Sequence, residues 1–162
     1  MAADTALGNC VFVSGTGLGR FQGVARTASG AFVVDEPAGD GGLGSGPNPY
    51  DLLSAALGAC TTMTLSLYAD LKGFPLQRAE VCVVHRRIAP EGPDVFTRTM
   101  YLEGPLSVDQ TARLLEVAKR CPVHRTLERS SEIHTELAPG LRGDQAIAPV
   151  SAHRDAMRAA TA

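Results

Sequence analysis

Cysteines and histidines are the side chains here best suited to nucleophilic, redox or metal chemistry. There are four of each: Cys10, Cys60, Cys82, Cys121, and His85, His124, His134, His153. A thiol attacks as its thiolate, so each cysteine is judged by what its neighbours do to its acidity. Cys121 has the strongest local chemistry. Lys119, Arg120, His124 and Arg125 surround it with positive charge. Pro122 can open a helix whose first unpaired N–H groups would face the sulfur and favour the thiolate. Cys60 falls in the middle of a long helix, beyond the reach of the helix dipole. It is either a structural hydrophobe or a thiol activated by a cation or metal brought in by folding. Cys10 and Cys82 lie in apolar, strand-like runs and read as small core residues. Cys121 and His124, three apart, could share a metal, but no CxxC or HxxxH pair supplies further ligands, and no metal is expected. The stretch GTGLGRFQG has neither the GxGxxG spacing nor a Walker lysine, and GxSxG is absent.

The elements that must position these residues are legible in the pattern. Val11, Val13, Phe21 and Val24 flank a glycine-rich turn at 15–19, which predicts a hairpin. A third strand is expected over 31–34, then a loop over 38–47 (AGDGGLGSGP), mobile unless something ties it down. Asn48 as cap, Pro49 at the first position and Asp51 at the third open a helix that Lys72, Gly73 and Pro75 close. At 1.5 Å per residue this helix, 49–72, is about 36 Å long. Its apolar residues cover most of its circumference, so it should be buried. One subunit of this size has little material to enclose it, which points to a wrapping sheet or a partner subunit.

A second hairpin is predicted from 80–88 and 96–102. On its second strand Phe96, Met100 and Leu102 share one face, and Arg98 interrupts that face. Ser107 and Gln110 form a capping box before an apolar helical face of Leu114, Leu115, Val117 and Ala118. Pro122 should end this helix at Cys121 and start a short one over 122–129. A closing strand is expected over Glu132–Leu137. The chain thus reads as a flexible N-terminus (1–9), a single domain (10–138) and a tail (139–162) in which HRDAMRAA would form a marginal helix.

Composition narrows the function classes. Fifteen Lys and Arg against seventeen Asp and Glu give a net charge of −2. That balance offers no electrostatic case for nucleic acid or an anionic membrane surface. Apolar residues make up 44%, aromatics 5%, and Trp is absent, so Leu, Val and Ala must build the core. No unbroken run of 18 apolar residues suggests a membrane span, and MAADTALGNC has no signal-peptide character. The cytoplasm is the expected location.

Two segments carry a family resemblance. GPNPYDLLSAALGACTTMTLSLYA (46–69) and RLLEVAKRCPVHRTL (113–127) resemble the OsmC/Ohr superfamily, in its OsmC-like branch, over about residues 10–138. The resemblance implies an α+β fold, with antiparallel sheets wrapped around a long buried central helix in an intertwined homodimer. It implies a thiol-dependent peroxidase that reduces organic hydroperoxides in oxidative stress defence. Such an enzyme uses no resident cofactor and is recycled by an external thiol or dithiol. Cys60 falls at the peroxidatic position and Cys121 at the resolving one. In better-known members a glutamate after Asn-Pro helps hold an arginine over the thiolate. Tyr50 occupies that place here, with Asp51 next. Arg20, ahead of Arg26, and Asp51 are the candidates for an assisting role. The alternative is a non-catalytic redox-sensing or small-ligand-binding protein on the same scaffold.

Overall fold

The computed structural model describes residues 10–129, 131–140 and 159–161. The chain divides into two compact units. One holds the residues up to 49 and a later segment from 133; the other holds 50–132 and the described end of the chain. In the first, three strands, β1 (Phe12–Gly15), β2 (Gly23–Thr27) and β3 (Gly30–Val34), pair antiparallel in chain order. Val13 stands opposite Ala25 and Gly15 opposite Gly23, so the glycine-rich stretch turns the first hairpin as expected.

The loop after β3 is tied down by one carboxylate. Asp35 is buried. It accepts the backbone N–H groups of Glu36, Leu43 and Ser45 and the Ser45 hydroxyl at 2.8–3.2 Å. A single-turn 3-10 helix, Ala38–Asp40, lies inside the loop. Gly42 is required there, because a Cβ would sit 1.9 Å from the Glu36 carbonyl oxygen.

The second unit begins with the long helix. α1 spans Pro49–Lys72, the predicted bounds. The strands β4 (Arg78–Arg87) and β5 (Asp94–Glu103) form an antiparallel hairpin; β4 starts two residues earlier and ends one earlier than its apolar run, and β5 is longer at both ends. Each strand alternates half-buried and exposed positions, and Phe96, Arg98, Met100 and Leu102 share the inward side. α2 (Val108–Ala118) starts at the Ser107–Gln110 capping box, with both reciprocal bonds present. α3 (Pro122–Glu128) has Cys121 as its cap residue and proline at its first position. The fold is α+β, with two antiparallel sheets among the described residues.

Two small cores hold this unit together. Leu65 and Tyr68 of α1 meet Leu114, Val117 and Ala118 of α2. One and a half turns earlier, Leu57 and Cys60 of α1 meet Cys121, flanked by Val83, Phe96, Val123 and Leu127. The buried positions of α1 (57, 58, 60, 61, 64, 65, 68 and 69) form one stripe.

Several expectations are corrected. α1 is not buried all round: Leu53, Met63 and Leu71 are exposed within this chain. It is also long and apolar enough to cross a membrane, with a mean hydropathy of 1.4 over 18 residues. A search for an unbroken apolar run missed this, since Gly, Ser and Thr interrupt the sequence without lowering the average much. Here its middle packs on α2, α3 and the β4–β5 hairpin. Cys82 is exposed rather than core, because it takes the outward phase of β4; Cys10 is half-buried. Residues 131–138 form no strand: Ile133 is 87% and Leu137 100% exposed, and a strand needs a paired edge. The flexible N-terminus (1–9) lies outside the described residues. So does most of the tail helix over 153–160; residues 159–161 are helical.

Candidate active site

Folding brings together the two cysteines that the sequence keeps sixty-one residues apart. Cys60 is carried by the buried stripe of α1 and is 2% exposed; Cys121 is fully buried. The arrival of Cys121 is a consequence of Pro122. A residue before proline is pushed out of the helical region. Cys121 accordingly adopts φ −50°, ψ 130°, which breaks α2 from α3. The chain turns there, and the Cys121 sulfur faces α1. The two Sγ atoms lie 2.6 Å apart, as thiols within hydrogen-bonding reach.

The surroundings split the acidity of the pair. The bond from the Cys60 thiol lowers Cys121 to about 6; burial opposes this, and the N–H of His124, the Thr61 hydroxyl and the N–H of Val123 reinforce it. Cys60 is raised, first because its proton is held against Cys121 and second by burial. The N–H of Val123 also reaches the Cys60 sulfur, at 3.4 Å. The pair therefore ionises as a unit, losing one proton easily and the second with difficulty. The first turn of α3 faces the Cys121 sulfur, as Pro122 suggested, and its Val123 N–H also reaches that of Cys60.

A third participant comes from β5. Arg98, half-buried, donates from Nη1 to Thr61 Oγ1 at 2.9 Å and to the Ala118 carbonyl at 3.1 Å. Burial lowers its pKa, while the charges of Cys121 and Cys60 act to raise it. Sequence reasoning noted Arg98 only as a flaw in an apolar face; that flaw was the signal. Beside the thiols is a cleft of about 220 Å³, lined by Leu57, Phe96 and Leu127 and by Asp94, Arg98, His124 and Glu128.

The other candidates belong to other elements. Asp51 is exposed in the first turn of α1, nine residues and about 13 Å along the axis from Cys60. Within this chain it is not brought to the thiols. Tyr50 stacks on His85, with centroids 4.1 Å apart, and its hydroxyl bonds the Arg87 guanidinium. Arg87 and His85 both hold Asp94, whose carboxyl falls to about 2 under the Arg87 and then the His85 hydrogen bonds. Tyr50 thus belongs to a Tyr–His–Arg–Asp cluster reached from the thiols through Phe96, which lies 4.8 Å from the His85 ring. Arg20 belongs to the N-terminal unit, where its guanidinium stands 5.9 Å from the Phe21 ring centre. The Asp35 carboxylate is committed to its loop. His124 pairs with Glu128 at 3.7 Å.

Comparison with known proteins bears on the family and the fold. The family model described as OsmC-like protein matches residues 40–136, more than half of the chain. No curated protein matches it in sequence. Among solved structures it is similar to an OsmC like protein from Mycoplasma pneumoniae, at 20% identity and TM-score 0.62, over 74% of this chain and 86% of that one. It is similar to an organic hydroperoxide resistance protein OsmC from Legionella pneumophila, at 19% identity and TM-score 0.60, over 74% and 88%. An organic hydroperoxide resistance protein from Elizabethkingia anophelis follows, at 21% identity and TM-score 0.56, over 72% and 86%. Identities this low speak to the shared fold.

Proposed function

Because the chain belongs to the OsmC-like protein family, we propose that it is a thiol-dependent peroxidase that reduces organic hydroperoxides. One observation carries the reading: two buried thiols 2.6 Å apart, one of them acidified, beside a partly apolar cleft. The names of the Legionella and Elizabethkingia structures, both organic hydroperoxide resistance proteins, support the same substrate class.

The chemistry balances without a cofactor. A thiolate on Cys60 attacks the terminal oxygen of R–O–O–H. The S–O bond forms, the O–O bond breaks, and the alkoxide leaves and takes a proton to become R–OH. Cys60 is then a sulfenic acid. The Cys121 sulfur attacks it, a disulfide forms, and water leaves. An external dithiol reduces the disulfide and is itself oxidised. Cys121 is the more acidic thiol at rest. A proton passed across 2.6 Å moves the charge to Cys60, so resting acidity does not decide which sulfur attacks. The family position of Cys60 and the apolar Leu57 one turn before it favour attack by Cys60.

The test uses the full chain with cumene hydroperoxide and dithiothreitol. Turnover is expected and should fall by about a hundredfold or more in Cys60→Ser, a loss of the order expected when a nucleophile is removed. Cys121→Ser should still trap one equivalent of sulfenic acid. Absence of turnover with any dithiol and hydroperoxide would overturn the reading. The engagement of Tyr50 with His85 and Arg87, where relatives have a glutamate, favours a second reading: a redox sensor. In that case peroxide would oxidise the pair once to a disulfide that no dithiol recycles.

A further inference from the structure

We propose that Arg98 is the cation that balances the thiolate shared by Cys60 and Cys121, acting from the wall of the substrate cleft. Its catalytic meaning rests on the peroxidase reading; its electrostatic role does not.

The argument starts from cost. An arginine placed on the inward face of a strand, between Phe96 and Met100, loses hydration and needs a counter-charge. Its two hydrogen-bond partners, Thr61 Oγ1 and the Ala118 carbonyl, are both neutral. The carboxylates sharing the cleft are engaged by others. Asp94 is held by Arg87 on two oxygens and by His85. Glu128, itself exposed on α3, lies 3.7 Å from His124. Among the described residues, the ionisable groups that act on Arg98 are Cys121, at the α2–α3 junction, and Cys60, on α1. The thiol pair is therefore the remaining source of negative charge, and both sulfurs act on Arg98 electrostatically.

The hydrogen bonds are arranged to make that charge count. Thr61 Oγ1 donates to the Leu57 carbonyl at 2.7 Å and accepts from Arg98, and it lies within reach of the Cys121 sulfur. A hydroxyl proton can turn between acceptors. With Arg98 occupying a lone pair, Thr61 can swing its proton from the Leu57 carbonyl to the thiolate. The second bond, to Ala118, grips the carbonyl that also receives the Cys121 N–H at 3.4 Å, and so fixes where the sulfur sits. Charge and position come from one side chain.

The test separates charge from position. In the full chain with Cys10 and Cys82 replaced by Ser, the thiolate of the remaining pair is titrated by its ultraviolet absorbance, without peroxide. Arg98→Gln keeps amide donors but loses charge; Arg98→Lys keeps charge but loses the fork. Arg98→Gln should raise the first apparent pKa by roughly one unit, a tenfold loss of thiolate at a given pH below it. Arg98→Lys should stay near the parent. Peroxide turnover by Arg98→Gln should fall near neutral pH and recover as pH rises. If both variants titrate like the parent, or both shift equally, Arg98 has only a structural role and the inference is overturned. If the parent turns over no hydroperoxide but Arg98→Gln still shifts the titration, the peroxidase reading fails and this inference stands. If turnover is present and the titration does not move, the reverse holds.

Discussion

Cys60 and Cys121 differ by what faces each sulfur rather than by residue type. Cys121 sits at the start of α3, under two backbone N–H groups and the Thr61 hydroxyl, and it receives the proton of Cys60. This makes a pH dependence. A thiol whose pKa is lowered is ionised above its shifted value and protonated below it. Alkylation of the pair by iodoacetamide should therefore rise through a midpoint of about 6. Mass spectrometry of the tryptic peptides across pH reads this, and alkylation that stays flat through pH 6 would refute it. The Cys60 bond that chiefly acidifies Cys121 comes from α1, whereas the backbone N–H groups of α3 that reinforce it were readable locally, from Pro122. Arg98 was not, because its partners Thr61 and Ala118 are distant in sequence on α1 and α2. Only its misplacement on an apolar strand face hinted at a role. Asp51 is kept from the thiols of its own chain because a helix fixes distance as well as direction.

Among the elements, those with local instructions formed where the sequence put them. Capping by Ser107 and Gln110, the Pro122 break, and the Lys72–Gly73 stop act over a few residues. The strand over Glu132–Leu137 failed because a strand is stabilised by its neighbour, and no local rule supplies one. The Gly-rich loop is the intermediate case. Its composition says flexible, yet Asp35 fastens it through four hydrogen bonds. Burial pushes the Asp35 carboxyl up, but the bonds from Ser45, Leu43 and Glu36 outweigh it and hold it below the usual range. A lowered carboxyl adds stability above the ordinary carboxylate range, and that contribution is lost as pH falls through the folded value. Asp35→Ala should lower the melting temperature by about 4 °C or more at pH 7, with the gap closing toward acid pH. Thermal unfolding by circular dichroism measures this; equal melting at pH 7 would show that the loop does not depend on Asp35.

For the whole molecule, α1 is the deciding element. One stripe is buried within the chain, while Leu53, Met63 and Leu71 remain 40–61% exposed beside exposed Ala56 and Ala59. Contiguous apolar exposure of this kind marks an interaction surface. The proposed occupant is a second copy of the chain, the arrangement the family resemblance implies. Light scattering should give twice the chain mass for the parent. A charge in that face, as in Met63→Glu, should yield monomer with helical content retained. A monomeric parent at micromolar concentration would remove the dimer.

The sequence by itself determined what is written in short range: the bounds of α1, the caps of α2, the turn at Pro122 and the pairing of adjacent strands. Through two motifs it also determined the family. Tertiary structure alone decided which face of each element looks inward. It put Cys82 outside, Arg98 inside and the two sulfurs within reach of each other. The physical reason is that propensity and capping act between neighbours along the chain. Acidity, counter-charge and burial depend on groups that only packing brings close.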